Sequence, residues 1–281
     1  MKQFFLVVFL FAFALTGMAQ TTADSLALVN ADWQVTNIKK GLVCKKAVFE
    51  SLYGVPQEIS ILEVSPKKFK IDVQEHNAME RTSEVSKRHN ATAALNGTFY
   101  NMKHGFSVSY LQQKGVVIDT TSTTPTQANG ALYIKRGKIK EIMRWDKNIE
   151  NKMRKKPKKS VSIMAAGPVM LIDGEVCSTE GLSRSFCDTK HPRSAVALTK
   201  RGKTILLIVV DGRRKGKCEG VSIAEFTHMI QVLGGVNALN VDGGGSSTLW
   251  SEDMPGDGVI NTPSDKSGER KVANSIGVYE K

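Results

Sequence analysis

Most of the chain alternates short apolar segments with polar turns, and one stretch departs from that rhythm. Residues 204–211 (Thr-Ile-Leu-Leu-Ile-Val-Val-Asp) are apolar almost without a break until a terminal acid, the pattern of a strand buried on both faces. Downstream, Ile223, Phe226, Ile230 and Leu233 recur three and four residues apart, which predicts an amphipathic helix. Ser222 and Glu225 supply a capping box at its start, and Gly234-Gly235 a stop. Val236 to Val241 then reads as a short strand leading into Asp242. Strand, helix, strand predicts two parallel strands joined by a right-handed crossover over 204–241. Asp211 and Asp242 would then end on one sheet edge, where open sheets bind ligands.

The remaining pattern is rich in strands. Val48-Phe49, Ile59 to Val64 and Phe69 to Val73 read as strands, Thr82 to His89 as a short helix, and Ala91 to Leu95 as a buried strand. Residues 106–118 and 131–143 predict hairpins, with Gly137 at the second turn. Further strands are expected at 162–167 and 195–198. Hairpins mixed with one crossover imply an α+β fold of mixed β-sheets covered by helices.

The chemistry gathers after the last strand of the crossover. Asp242-Gly243-Gly244-Gly245-Ser246-Ser247 places a carboxylate, exposed N–H groups and hydroxyls in one tight loop. Three glycines in a row are costly in regular structure and useful where backbone must approach a ligand. The alternative is a glycine-rich turn between strands. Ser246 lacks a Gly-x-Ser-x-Gly setting and a histidine partner, so its hydroxyl reads as a binding group rather than a nucleophile. Asn96-Gly97 is either a type I′ hairpin turn or part of a site. Glu225 is explained by capping alone, yet a carboxylate there would serve as acid or base. Arg193 opens an apolar strand; it is either a surface arginine or a planar, permanently charged grip for phosphate.

Taken in order, these segments resemble the phosphodiester glycosidase family. The resemblance rests on Val210-Asp211-Gly212-Arg213, Gly220 to Phe226 and Leu239 to Thr248. It extends to Leu95-Asn96-Gly97-Thr98-Phe99-Tyr100, Gly167-Pro168 with Leu171 to Gly174, Pro192 to Ala197, and Arg270 to Asn274. It spans roughly residues 60–280. Thr98 departs from the pattern, since the family usually has a second glycine there. The resemblance implies cleavage between the anomeric carbon and phosphate oxygen of a sugar 1-phosphodiester. Arg193 would then bind phosphate, Asp211 and Asp242 act as base or stabiliser, and Glu225 fill the alternative acid–base role. Asn96, Gly97, Gly243, Gly244, Gly245, Ser246 and Ser247 would hold sugar hydroxyls or phosphate oxygens, with Arg213, Arg270 and Asn274 also at the substrate. Two alternatives remain: a metal-assisted phosphodiesterase using Asp211 and Asp242, and a non-catalytic envelope glycan-binding protein.

Composition changes this picture in three places. Lys2, the apolar block Phe4 to Leu15 and Thr16-Gly17-Met18-Ala19 read as a signal peptide over 1–19. The expected protein is therefore exported, periplasmic or extracellular, without stable membrane insertion. A loosely ordered leader over 20–32 and one catalytic domain over 33–281 would follow. The net charge of +12 concentrates partly in Lys135 to Lys159, read as a solvated lysine-rich loop. It lacks interleaved aromatics, so the expected partner is a phosphate-containing glycan or glycoconjugate and not nucleic acid. Cys44, Cys177, Cys187 and Cys218 permit disulfides after export, with Cys177–Cys187 the favoured pair. Neither they nor the five histidines show metal-ligand spacing, so no metal and no cofactor is expected. His104 and His191 lie near the motif segments and stay open as acid–base groups.

Overall fold

The computed structural model describes residues 16–118 and 126–281. The apolar block of the expected signal peptide, Phe4 to Leu15, lies outside the described residues. Among the described residues, three sheets and a few helices make up a fold that is α+β with strands predominating. An eight-stranded sheet runs in the order Gln34–Lys39, Leu42–Leu52, Val55–Val64, Ile205–Val210, Arg193–Thr199, Gly235–Asn240, Val169–Ile172 and Glu175–Val176. A five-stranded sheet and a four-stranded sheet, the latter built from Leu249–Ser251, Ala93–Asn96, Lys271–Glu280 and Phe69–Arg81, complete the fold.

The continuous apolar run forms Ile205–Val210, and all six of its residues are buried. Its side chains alternate between two cores. Ile205, Leu207 and Val209 join the core shared with the two smaller sheets. Leu206, Ile208 and Val210 join a second core, with Phe226, Met229 and Ile230 of helix Ile223–Val232. A strand enclosed on both faces has no polar side to present, which is why its sequence lacks alternation.

Ile205–Val210 and Gly235–Asn240 each pair antiparallel with Arg193–Thr199, which lies between them. They therefore run in the same direction, and helix Ile223–Val232 connects them. The capping box forms: Ser222 N–H donates to Glu225 Oε2 at 2.8 Å, and Glu225 N–H to Ser222 Oγ at 3.2 Å.

Three local expectations are corrected. The leader is not loose, because Thr16–Val29 is a helix. Leu28 enters the second core, and buried Asp24 accepts the Tyr53 N–H at 2.9 Å. Part of the lysine-rich stretch is the helix Lys147–Lys155, started by Asp146, whose carboxylate accepts the Ile149 N–H at 2.8 Å. The favoured Cys177–Cys187 pair is not formed: all four cysteines are free and buried. Cys177 instead takes a hydrogen bond from Arg144, and burial pushes both thiols up.

Candidate active site

With one strand interposed, the backbones of Asp211 and Asp242 stand about two strand spacings apart, roughly 10 Å, at the same sheet edge. Their side chains have different surroundings. Half-buried Asp242 accepts the Gly243 N–H at 2.9 Å and a hydrogen bond from Ser246, with Arg270 and Arg213 close enough to act on its charge. Burial nevertheless raises its carboxyl above the ordinary aspartate range.

The triple-glycine loop folds as a short helical turn, Gly244–Ser246. Its fixings explain why this sequence turns here. Asp242 N–H donates to Gly97 O at 3.0 Å, and Gly244 N–H to Pro192 O at 2.9 Å. Two guanidinium groups lie on the loop. Gly244 has φ +62°, and a Cβ there would stand 3.0 Å from both terminal nitrogens of Arg213. A Cβ at Gly245 would overlap the Arg270 guanidinium and the Asp265 carboxylate. The glycines thus provide clearance for two cations.

Those arginines are held differently. Arg270 makes a two-pronged pair with Asp265, at 2.7 and 2.8 Å, and hydrogen-bonds Tyr100. Tyr100 Oη donates to Lys271 O at 3.1 Å and lies 3.5 Å from Ser246 Oγ. Arg213 is exposed in a left-handed conformation at φ +60°, which non-glycine residues adopt at a cost. Its side chain has no hydrogen bond or ion pair among the described residues. Half-buried His191 lies near Arg193 and Arg213; burial first, then those cations, lower its pKa and favour the neutral ring. His104 is elsewhere, stacked on Phe106.

Other expected site residues are occupied as supports. Arg193 is 2% exposed. Its Nε donates to Val221 O at 3.1 Å, and its Nη2 to Phe186 O at 2.5 Å and Thr189 O at 3.1 Å. Burial lowers its pKa to about 10. With two of three nitrogens committed to carbonyls, it ties the helix approach to the strand start and has no open fork.

Asn96 is fully buried. Its Nδ2 donates to Asp242 O at 2.6 Å, and its Oδ1 accepts the Thr248 N–H at 3.1 Å. It is not a hairpin turn, since Ala93–Asn96 pairs with Leu249–Ser251 and Lys271–Glu280. Gly97 packs against Asn274, whose Oδ1 accepts the Thr98 N–H at 2.7 Å. That contact uses the position where the family's second glycine is expected. Asn274 Nδ2 and Ser247 Oγ are buried without a protein partner.

Glu225 divides its carboxylate between the helix cap and an ion pair with Lys190. Asp211 is 3% exposed and accepts from Asn261 Nδ2 at 2.9 Å and Thr262 N–H at 2.8 Å. Asn261 also donates to Ser247 O at 3.1 Å, so Asp211 braces the glycine loop through one intermediary. Burial raises its pKa to about 6, against the lowering effect of those hydrogen bonds. Asp211 and Asp242 therefore do not share a ligand set. Among the described residues, no three His, Cys, Asp or Glu side chains converge as a metal site.

Tyr100, Asp265 and Asn261 were not singled out as site residues from the sequence. Tyr100 ended a family-like segment, whereas Asp265 and Asn261 sit in the irregular 252–270 connection, which carries no periodic signal.

The phosphodiester glycosidase family model matches residues 89–279. A comparison with curated proteins finds no match. Among solved structures, a hypothetical protein from Synechocystis superposes with TM-score 0.64 at 17% identity, covering 89% of this chain and 64% of its own. This chain thus spans just under two thirds of that protein. The catalytic domain of zebrafish N-acetylglucosamine-1-phosphodiester alpha-N-acetylglucosaminidase, auto-inhibited by its pro-peptide, superposes with TM-score 0.67 at 19% identity, covering 89% of this chain and 88% of its own. At these identities the likeness is one of fold.

Proposed function

The chain belongs to the phosphodiester glycosidase family, and on that premise we propose that it is an exported single-domain hydrolase cleaving the glycosidic bond of a sugar 1-phosphodiester in an envelope or dietary glycan. The observation that carries this reading is the convergence of Asp242, Arg213 and Arg270 on one glycine loop. Export rests on the N-terminal pattern of Lys2, an apolar block and small residues before Gln20.

Water adds to the anomeric carbon as the bond from that carbon to the phosphate oxygen breaks, giving a free sugar and a phosphate monoester. The leaving phosphate needs its charge neutralised more than it needs a proton, and Arg213 is the uncommitted guanidinium for that task. Arg270, fixed by Asp265 and Tyr100, supplies a second positive charge. Asp242 in its ionised form supports the oxocarbenium-like sugar or activates water. Arg193, Asn96, Asp211 and Glu225 position these groups without touching substrate.

Hydrolysis in ¹⁸O-labelled water decides which bond breaks. The glycosidase reading requires label at the sugar anomeric carbon. Label in the phosphate would mean attack at phosphorus and a phosphodiesterase. Absence of turnover across a panel of sugar 1-phosphodiesters would leave a binding protein.

A further inference from the structure

Arg193–Thr199, Ile205–Val210 and Gly235–Asn240 each have one end at the candidate active site and the other at a second feature. There, a groove of about 1120 Å³ lies between the turn after Val55–Val64, the turn joining Arg193–Thr199 to Ile205–Val210, and the outer strand Lys138–Arg144 of the five-stranded sheet. Six-residue strands place the two features about 20 Å apart. Lys67, Lys138, Lys140, Lys200, Arg201 and Lys203 line the groove, and all six are exposed. Among the described residues, Asp173 is its only acidic lining residue. Among the described residues, none of the six cations has an ion pair.

Edge-strand lysines commonly serve to discourage strand pairing, which is sufficient for Lys138 and Lys140. It does not account for Lys67, Lys200, Arg201 and Lys203, which occupy two separate turns. Arg201 moreover adopts φ +62°, a conformation costly for a non-glycine residue. The positive charge continues past the rim. Lys281 Nζ donates to Pro66 O at 2.5 Å, and its pKa is lowered by lost solvent and then by Lys138 and Lys70. Six like charges are held together with Asp173 alone among the described lining residues to offset them, and an anion of extended shape would relieve that repulsion.

We propose that this groove binds a linear anionic glycan, at a site separate from the hydrolytic loop. Among the described residues no aromatic side chain lines it, so they offer no platform for the base stacking on which single-stranded nucleic acid binding relies. Preference for a polyanion follows from the groove alone; the choice of a glycan rests on the proposed glycosidase function.

The test is fluorescence anisotropy of the mature protein with labelled heparin fragments as the anionic glycan. Oligo(dT) and inorganic phosphate serve as competitors. Four neutralised anions would weaken binding about 50-fold between 50 and 200 mM salt, on the relation for single-stranded polyanions. Lys200→Glu/Lys203→Glu should weaken binding at least roughly 10-fold, since two attractive contacts become repulsive. Lys152→Glu/Lys155→Glu, the same number of charge reversals on the helix Lys147–Lys155 and outside the groove lining, should leave it within about threefold. Hydrolysis of a small sugar 1-phosphodiester and the melting temperature should stay parental in the groove variant. Salt-insensitive or absent heparin binding overturns the proposal, as does a larger loss in the distant variant. Competition by oligo(dT) as strong as that by unlabelled heparin assigns the groove to nucleic acid and overturns it too. Displacement by inorganic phosphate at equal charge concentration overturns the requirement for a polymer. Groove-dependent heparin binding without any hydrolysis supports the groove and refutes the catalytic reading instead.

Discussion

Gly245→Ala isolates the packing of a guanidinium on the glycine loop. The new methyl would occupy space taken by Arg270 Nη2, Cζ and Asp265 Oδ1. Normal carbon–heteroatom contact needs about 3.5 Å, so the ion pair must move as a unit. Overpacking of this kind costs about 1–3 kcal/mol. The pair, a quarter or so exposed on each side, contributes only up to about 1 kcal/mol after solvent screening. A total of about 1–4 kcal/mol corresponds to a melting point lower by roughly 2–16 °C for a chain of this size. Displacing a cation that stabilises the transition state costs about 2–4 kcal/mol more in the barrier, or roughly 30- to 1000-fold in kcat/KM. Calorimetry and steady-state hydrolysis are to be run on Gly245→Ala, Arg270→Ala and the double variant. Removing the Arg270 side chain relieves its share of the overlap and frees the Asp265 carboxylate to swing aside, so the double variant should regain stability relative to Gly245→Ala while staying as inactive as Arg270→Ala. A Gly245→Ala protein with parental melting point and kcat/KM would refute the packing of Arg270 on the loop and its part in the site.

Arg213→Lys keeps the charge but loses the planar fork, and should lower kcat/KM by roughly 30- to 1000-fold with an unchanged melting temperature; parental kinetics would remove Arg213 from the phosphate. Asp242→Asn should lower kcat at least roughly 100-fold while leaving circular dichroism and melting unchanged. Glu225→Gln retains a capping side chain and should leave kcat within about twofold, whereas a collapse in kcat without destabilisation would make Glu225 catalytic. Asp211 titrates near 6 in the fold against 3.8 when unperturbed; the fold binds this proton more tightly, so its stabilising contribution is full below about pH 4 and lost as pH rises through about 6. That interval is worth about 3 kcal/mol, and denaturant titrations from pH 4 to 7 should show the decline flattened in Asp211→Asn.

Local order was legible in the sequence wherever a short pattern had only one physical solution. An unbroken apolar run can be satisfied only by burial on both faces, and Ile205–Val210 is so buried. Ser222 and Glu225 cap a helix because the orphan N–H groups and their acceptors are three residues apart. The shared edge of Asp211 and Asp242 followed from the helical connection alone, although the pattern gave no sign that Arg193–Thr199 would lie between the strands. The family signature was readable because its segments keep their order along the chain.

Which side chain faces substrate was decided by the tertiary structure. Asp211 and Asp242 both follow a strand into a glycine, yet one carboxylate meets Asn261 and Thr262 and the other Gly243 and Ser246. Arg193 and Arg213 carry the same group, but only Arg193 finds backbone carbonyls to satisfy it. Arg270 reaches the loop through Asp265 in an aperiodic connection, and the basic groove is assembled from turns up to 136 residues apart, Lys67 to Lys203. Periodicity records which face of an element is buried. The partners of a polar group come from distant segments, and only the folded chain sets them side by side.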